Sequence, residues 1–561
     1  MWNPASSLSV FDGGSIPIKQ SSCQTCSRSV NVRYRKCSGG PYYSAPQHSH
    51  ARPLPINANA LSAARRYRAW LLEGGFSGYA IVLDRIALYR SKLEQAHVWH
   101  NGAMRLALVW LFCVRVWAAD TMPPAAEQRL AREIYKQMIE VKSGFTTGST
   151  TPIAESVAAR FKAAGFPASD IFVGGAIPAK VNVVVRYQGT GARKPILLLA
   201  HIDVVEARRE DWTVDPFIFL EKDGYFYGRG TADDKAQAAV WVATLLRFKR
   251  EGFKPDRDLI LALTADEEGG GPYNGVDWLL QKHRDLIEAE FALNEGARGM
   301  LVDGKRVEND MGLAEKQFVN LRWEVRNKGG HSARPVRDNA IYHLADALHR
   351  LADFQFDFHL NDITREYFRQ AAKTASADLA ADMAAVAEGD REAMRRIAEA
   401  SAPLNAMMRT TCVATQLEGG HASNALPQLA AANINCRLLP DDSVERVVAE
   451  LTKLIADDQV KITITVSEGA SPASPLRPDI TKAFNRVTDT IWPGVVTVPT
   501  MSVGGSDGRY LRVAGIPTYG VQGFFQDRDD VRAHGRDERM LVRSFYEGQT
   551  FLYEFVKALS Q

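Results

Sequence analysis

The stretch from Pro195 to Gly271 constrains the fold more than any other. It reads PILLLAHIDVV, then GYFYGRGTADDKAQAAVWVATLLRF, then DLILALTADEEGGG. One short apolar run, Ile196 to Leu199, leads into His201; a second, Leu259 to Leu263, leads into Glu267 and Glu268. Between them a Gly-rich turn carries Asp233 and Asp234, and a helical pattern follows from Asp234 to Arg250. Short apolar runs alternating with helices read as parallel strands buried in an α/β sheet. Ligands of such sheets bind beyond the carboxyl ends of the strands. His201, Asp203, Glu267 and Glu268 fall at those ends, and a third run, Phe291 to Leu293, ends in Asn294-Glu295. Imidazole and carboxylate groups converging there are the donor set of a divalent transition metal.

The remaining elements surround this unit. At 561 residues the chain exceeds one ordinary domain. Helices are predicted over Ala126 to Val141, Ser156 to Gly165 and Gly275 to His283, and a Val-rich strand over Lys180 to Tyr187. After Gly312 the character shifts. Gln317 to Val325 alternates polar and apolar residues, the mark of a strand with one solvated face. A helix over Asn339 to Leu351, an inserted helical pair within 375–400, a strand over Ala430 to Arg437, a helix over Ser443 to Asp457 and a strand over Lys461 to Val466 follow. That β-α-(insert)-β-α-β order suggests a small α+β, ferredoxin-like domain. Longer helices return over Pro478 to Ile491 and Met540 to Ala558. The expected architecture is therefore α/β: a mainly parallel-sheet domain in two segments, 120–314 and 469–561, with an inserted α+β domain over 315–468.

The first 103 residues read differently. They carry 12 Lys and Arg against 4 Asp and Glu, which leaves 56 against 61 in the rest. The remainder is thus mildly acidic and gives no footprint for nucleic acid. Cys23 and Cys26 form a CxxC, and with Cys37, His48 or His50 they offer a weak zinc pattern. The alternatives are a disordered extension or an over-extended reading frame. Met104-Arg105 precedes the apolar core Leu106 to Val114 and then Arg115-Val116-Trp117-Ala118-Ala119. A basic residue, a short apolar core and small residues at the end make a secretory signal over 104–119, with Arg115 its one awkward charge. The core is too short for a membrane span. Export to a periplasmic or extracellular space is expected if translation starts at Met104, and a cytoplasmic location otherwise. Of the cysteines only Cys412 and Cys436 would remain, so disulfides are not expected to be a main source of stability.

Two metal ions side by side need a bridging carboxylate and further His, Asp or Glu donors. His201, Asp233, Glu268, Glu295 and, far downstream, His534 are the candidates. HIDVV, YGRGTADDK, TADEEGGG, LNEG, GGHSARP, GGHASNALP, VGGSDGRY and AHGRDE occur in that order. Together, from about Pro123 to Gln561, they resemble the M20 family of metallopeptidases and amidohydrolases, which includes glutamate carboxypeptidases, aminoacylases, succinyl-diaminopimelate desuccinylases and carnosinase-like dipeptidases. The resemblance implies two divalent metals, with zinc first and cobalt or manganese as substitutes. It implies that His201 and Glu295 hold one, that Glu268 and His534 hold the other, and that Asp233 bridges them. It further implies that Asp203 orients the His201 imidazole, that Glu267 is the general base, and that His331 stabilises an oxyanion, in many members from a partner subunit. Asn424 and Arg437 match positions that grip the substrate carboxylate, with the Gly504-Gly505-Ser506-Asp507 turn lining the same pocket. The lid would form a homodimer.

The expected activity is hydrolysis of a peptide or N-acyl amide bond beside a free carboxylate, carboxypeptidase-like because the resemblance places Glu rather than Asp at position 295. N-acyl-amino-acid deacylase or dipeptidase activity is the alternative, and a silent carboxylate-binding homologue the third reading. Asp234 reads as a helix N-terminal residue, and His283 and His421 as surface histidines. Arg437 has a rival reading as a solvated strand charge. Glu538 reads either as a helix cap or as a hydrogen-bond partner of His534.

Overall fold

The computed structural model describes residues 121–467, 469 and 471–561. The Cys-rich start, the 1–103 extension and the 104–119 export signal lie outside the described residues.

At the centre of the large sheet, strand Ile196–His201 pairs in parallel with Leu259–Thr264 on one side and Phe291–Asn294 on the other. Register sets the site. Thr264 lies level with His201, and Leu293 level with Leu198, so the residues that follow each strand emerge at the same edge. Successive side chains of a strand point to opposite faces, and the two faces are filled separately. Ile196, Leu198, Ala200, Leu261 and Leu263 meet helices Ala125–Ile139, Lys235–Glu251 and Val542–Leu559. Leu197, Leu199, Ile260 and Ala262 meet helices Gly275–Lys282 and Gly508–Val513 on the other side. This is the doubly covered sheet that the continuous apolar runs require.

Ten strands complete that sheet, in the order Ile171–Ile177, Lys180–Tyr187, Leu259–Thr264, Ile196–His201, Phe291–Asn294, Thr518–Gly520, Lys305–Glu315, Gly299–Val302 and Phe525–Asp527, with Val496–Ser502 also paired to Lys305–Glu315. Parallel pairs form its centre and recur at the far side, where Phe525–Asp527 pairs with Gly299–Val302 and Val496–Ser502 with Lys305–Glu315, while Lys180–Tyr187 and Ile171–Ile177 add antiparallel strands at the other side. Helix Lys235–Glu251 starts after Asp234 and ends at Gly252, whose φ of 66° is the left-handed conformation glycine adopts at little cost.

The inserted domain is a four-stranded antiparallel sheet, ordered Thr411–Gly419, Leu429–Leu438, Gln317–Arg326 and Val460–Ser467. Helices Ala340–Asp353 and Val444–Ile455 cover one face, burying Leu344, Leu351, Val447 and Leu451 against Leu321, Trp323, Ile434 and Leu438. The β-α-β-β-α-β order is ferredoxin-like, as expected, but strand Thr411–Gly419 is an addition to the sequence reading. It is an edge strand exposed over most of its length, with Val413 59% and Leu417 73% accessible, so it carries no burial alternation. Cys412 and Cys436, opposite one another on neighbouring strands, form a disulfide.

The expected helical pair within 375–400 is instead part of a run of four: Asp362–Ala371, Ala377–Ala387, Arg391–Ala400 and Ala402–Met408. Their buried Phe368, Met383, Val386, Ile397 and Met408 belong to the core of the large sheet, not to that of the small domain. The segment 315–468 therefore divides, with its helical insert packed on the large domain. Among the described residues no helix is long and apolar enough to cross a membrane.

Candidate functional site

The expected ligands converge at the carboxyl edge of the central strands. His201 Nε2 lies 3.0 Å from Asp233 Oδ1 and 3.8 Å from Glu295 Oε1. His534 Nε2 lies 3.0 Å from Asp233 Oδ2 and 3.0 Å from Glu268 Oε1. Two triads thus share Asp233, which offers one oxygen to each. His201, Glu267 and Glu268 also come within reach of one another, so proximity alone does not separate base from ligand.

The electrostatics fit a cationic occupant. Burial alone would lower the His201 pKa, but Glu295 and then Asp203 and Asp233 carry it well above its ordinary value. Hydrogen bonds to Asp233 and Glu268 raise His534 to about 10. Burial, followed by neighbouring carboxylates, holds Glu267 and Glu295 well above the usual range. So many carboxylates in a recess demand positive charge between them. The paired His/carboxylate donors are suited to two divalent ions, with His201, Asp233 and Glu295 around one and His534, Asp233 and Glu268 around the other.

The backbone is held for this purpose. His201 Nδ1 donates to the Asp203 backbone carbonyl at 3.1 Å, while the Asp203 carboxylate stands 3.6 Å away. That carboxylate, fully buried, instead accepts from Glu267 N at 3.2 Å and Glu268 N at 3.1 Å. Asp203 therefore orients the imidazole through its carbonyl and the acidic pair through its side chain. Asp266, with φ of 63°, turns the chain sharply between strand and acidic pair, and its carboxylate pairs with the buried Lys180 at 2.8 Å. A residue in the left-handed region is tolerated by Asp better than by most side chains. The turn carries Glu267 and Glu268 together toward His201, their ligand atoms lying within 4.8 Å of one another.

Glu538 takes neither role read from the sequence. Its fully buried carboxylate accepts from the backbone N–H groups of Gly230, Ala232 and Asp233 at 3.1, 2.6 and 3.1 Å, and from Arg229 Nη1 at 2.7 Å. Arg229 also donates to the His534 carbonyl at 3.2 Å. The pair braces the Asp233 turn against the His534 turn. Only the AHGRDE and YGRG motifs hinted at it; the partners are over 300 residues apart. Asp234 does cap the helix by position, but its fully buried carboxylate accepts from Gln522 instead of the helix.

The expected substrate residues fall in two places. Ser506 is buried at the large domain, its N and Oγ both donating to Glu315 at 3.0 and 2.5 Å, beside the exposed Gly505. His331 and Asn424 lie together on a small exposed ribbon of the inserted domain, where Gly330–His331 pairs with Ala425–Leu426 and Ser332 N donates to the Asn424 carbonyl. His331 Nδ1 accepts from Ala333 N at 3.1 Å. Arg437 lies on the face of that sheet away from the helices, its guanidinium 4.7 Å from the Phe318 ring centroid. His331, Asn424 and Arg437 are not members of the metal triads. Of the two histidines read as surface residues, His421 is exposed and His283 packs, partly buried and tilted, against Phe172 and Trp278.

The profile of Peptidase family M20/M25/M40 matches residues 197–558. The chain is 31% identical over 395 residues to a probable carboxypeptidase S-like 2 of Dictyostelium discoideum, covering 68% of this chain and 75% of that one. It is 31% identical over 355 residues to the N-fatty-acyl-amino acid synthase/hydrolase PM20D1 of Xenopus tropicalis, covering 62% and 69%. Its fold is similar to that of the M20 family metallo-carboxypeptidase Sso-CP2 from Sulfolobus solfataricus, with a TM-score of 0.58 at 18% identity over 76% of this chain and 99% of that one.

Proposed function

Because the chain belongs to peptidase family M20/M25/M40 and is a hydrolase of that family, we propose that it cleaves an amide bond next to a free carboxylate, in an N-acyl amino acid or at a peptide C-terminus. The observation that carries this reading is the pair of triads sharing Asp233. Relatives named as carboxypeptidase and as fatty-acyl-amino acid hydrolase support both substrate types.

When bound, two divalent ions, zinc by first choice with cobalt or manganese as substitutes, supply Lewis acidity at the scissile carbonyl. The chain's own groups do the rest. Glu267, beside the recess and raised in pKa, takes a proton from the attacking water and returns it to the leaving nitrogen. His331 donates a hydrogen bond to the developing oxyanion. Asn424, Arg437 and the exposed Gly505 hold the substrate carboxylate, which fixes the amide before attack; Ser506, expected beside them, has both its donors committed to Glu315 and instead shapes the turn. His331 and Asn424 stand exposed on the inserted domain, so they reach the substrate by closure of that domain or from a second subunit. A homodimer through the inserted domain is supported by its exposed edge strand, whose outer ladder has no partner strand among the described residues and invites a second copy.

The enzyme is exported, with translation from Met104 and cleavage of the 104–119 signal. The Cys412–Cys436 disulfide is in keeping with an oxidising compartment. N-terminal sequencing of protein from its native host tests this, and a cytoplasmic product starting near residue 1 overturns it.

Turnover of the metal-loaded enzyme on a panel of dipeptides, N-acyl amino acids and their carboxamide counterparts tests the activity. Free-carboxylate substrates are expected to be cleaved and their carboxamides to be poor. Equal turnover of both would remove the carboxylate requirement.

A further inference from the structure

The loop that carries Glu267 and Glu268 leaves its strand at Thr264 and enters a helix at Asn274. Both ends are fastened to one side chain from elsewhere. Thr264 Oγ1 donates to Asp507 Oδ2 at 2.8 Å, and Asn274 Nδ2 donates to Asp507 Oδ1 at 2.6 Å. All three residues are at most 2% exposed. Asn274 also accepts from Asp277 N as the helix N-cap, so its side chain is fixed at both ends. Asn182 Oδ1 takes Ala265 N at 2.9 Å, and Gly275 N donates to the Ala265 carbonyl at 2.7 Å, which closes the neck of the loop. What remains between is short and includes Gly269, Gly270 and Gly271, residues that hold no conformation of their own.

A carboxylate whose oxygens both accept from neutral donors is an expensive way to fasten a core, since burying charge costs more than burying an amide or an apolar group of like size. It does give short, charge-assisted hydrogen bonds with little play. Asp507 follows Ser506 in the turn proposed to face the substrate carboxylate, and Asn294 Nδ2, next to Glu295, donates to Ser506 Oγ at 3.3 Å. The turn is thereby tied to the ends of two strands that deliver the acidic groups.

We propose that Asp507 is a positioning residue for Glu267, fixing the loop so that the base stands at one distance from the substrate held by the adjoining turn. This rests on the reading of Glu267 as the base. Asp507 itself touches neither substrate nor reacting atoms in this role.

The test measures kcat, KM and bound metal for Asp507→Ala and Asp507→Asn, each alone and combined with Glu267→Gln. Misplacing a reacting group by about 1 Å costs on the order of a hundredfold. Asp507→Ala is expected to lower kcat by about that factor, with KM within about twofold and metal content unchanged. Asp507→Asn is expected to recover most of the loss. Its Oδ1 can accept from Asn274 while its amide donates to Thr264 Oγ1, whose own proton then turns toward the Ala200 carbonyl 3.4 Å away. In the Glu267→Gln background, Asp507→Ala is expected to cost nothing further, because the group it positions is gone. A role in stability alone predicts losses that multiply, or metal loss, and either result overturns the proposal. Should Asp507→Ala not fold, Thr264→Val and Asn274→Ala each release one tether, and unchanged kcat in both would equally overturn it. Full turnover by Glu267→Gln alone is a separate outcome: it defeats the base assignment and this inference with it.

Discussion

The large domain and the inserted domain treat their functional side chains in opposite ways. In the large domain His201, Asp203 and Glu538 are nearly or wholly buried and held by hydrogen bonds, and His534 alone of the candidate donors stands on an exposed turn. In the inserted domain His331 and Asn424 are exposed on a ribbon of two paired residues per strand. Metal donors must be assembled beforehand, because several like charges brought together cost free energy that only a rigid scaffold can hold. Groups that grip a substrate must let it in first, so they belong on a part that moves or on another subunit. Between the two lies a stiff crossing. Glu315 pairs with Arg512 at 2.7 Å, and the buried Lys316, lowered by burial to about 7, donates to the carbonyls of Ala406 and Arg409. The inserted domain thus starts from a fixed root.

The contrast can be broken at either side. The largest effect is expected for Glu267→Gln, which should retain both metals and lose about two to four powers of ten in turnover. Metal analysis beside a rate assay decides it, and wild-type turnover in a metal-replete mutant removes Glu267 from the mechanism.

On the inserted domain, His331→Ala should lower turnover by about a hundred- to a thousandfold with metal content intact. Mixed with inactive Glu267→Gln, it should regain part of the activity if the histidine acts across subunits, since one hybrid site then has both base and donor. No rescue in mixtures shown to exchange subunits would place His331 in its own chain's site or in none.

A smaller effect is expected behind the metals. Glu538→Gln keeps the shape but weakens the brace between the Asp233 and His534 turns. Metal affinity should fall by about ten- to a hundredfold, read by competition with a chelator, and excess metal should restore the rate. A rate deficit that persists at saturating metal would mean that Glu538 does more than brace.

The smallest effect on turnover is expected from Cys412→Ser. Removing a disulfide typically costs about 2–4 kcal/mol, here confined to the edge of the inserted sheet. Thermal unfolding should begin earlier while the rate at 25 °C stays near wild type. A matching loss of rate would show that the site senses the outer edge of that sheet.

Much of this was legible in the residues. The central strands declared themselves because burial on both faces leaves only apolar residues, and strands Lys180–Tyr187 and helix Pro478–Ile491 have the bounds read from their patterns. The candidate donors His201, Glu268 and Glu295 were legible because they follow predicted strands, whereas Asp233 and His534 stand in loops and their grouping with the others came from the family resemblance. Strand Thr411–Gly419 was not, because an exposed edge carries no alternating burial to read. Nor was the attachment of helices 362–408: an amphipathic helix announces that it has an apolar face, not which domain will cover it.

The sequence by itself determined the α/β class, the family and the candidate metal-binding set, since each depends on local pattern or on residue type at motif positions. Tertiary structure alone decided how those residues are held. That Asp203 serves the acidic pair with its carboxylate and His201 with its carbonyl, that Glu538 binds the Asp233 turn, and that Asp507 ties down both ends of the Glu267 loop are facts of contact between segments up to about 300 residues apart. Hydrogen-bond partners are chosen by distance and direction in space, and a periodicity of 2 or 3.6 residues carries neither.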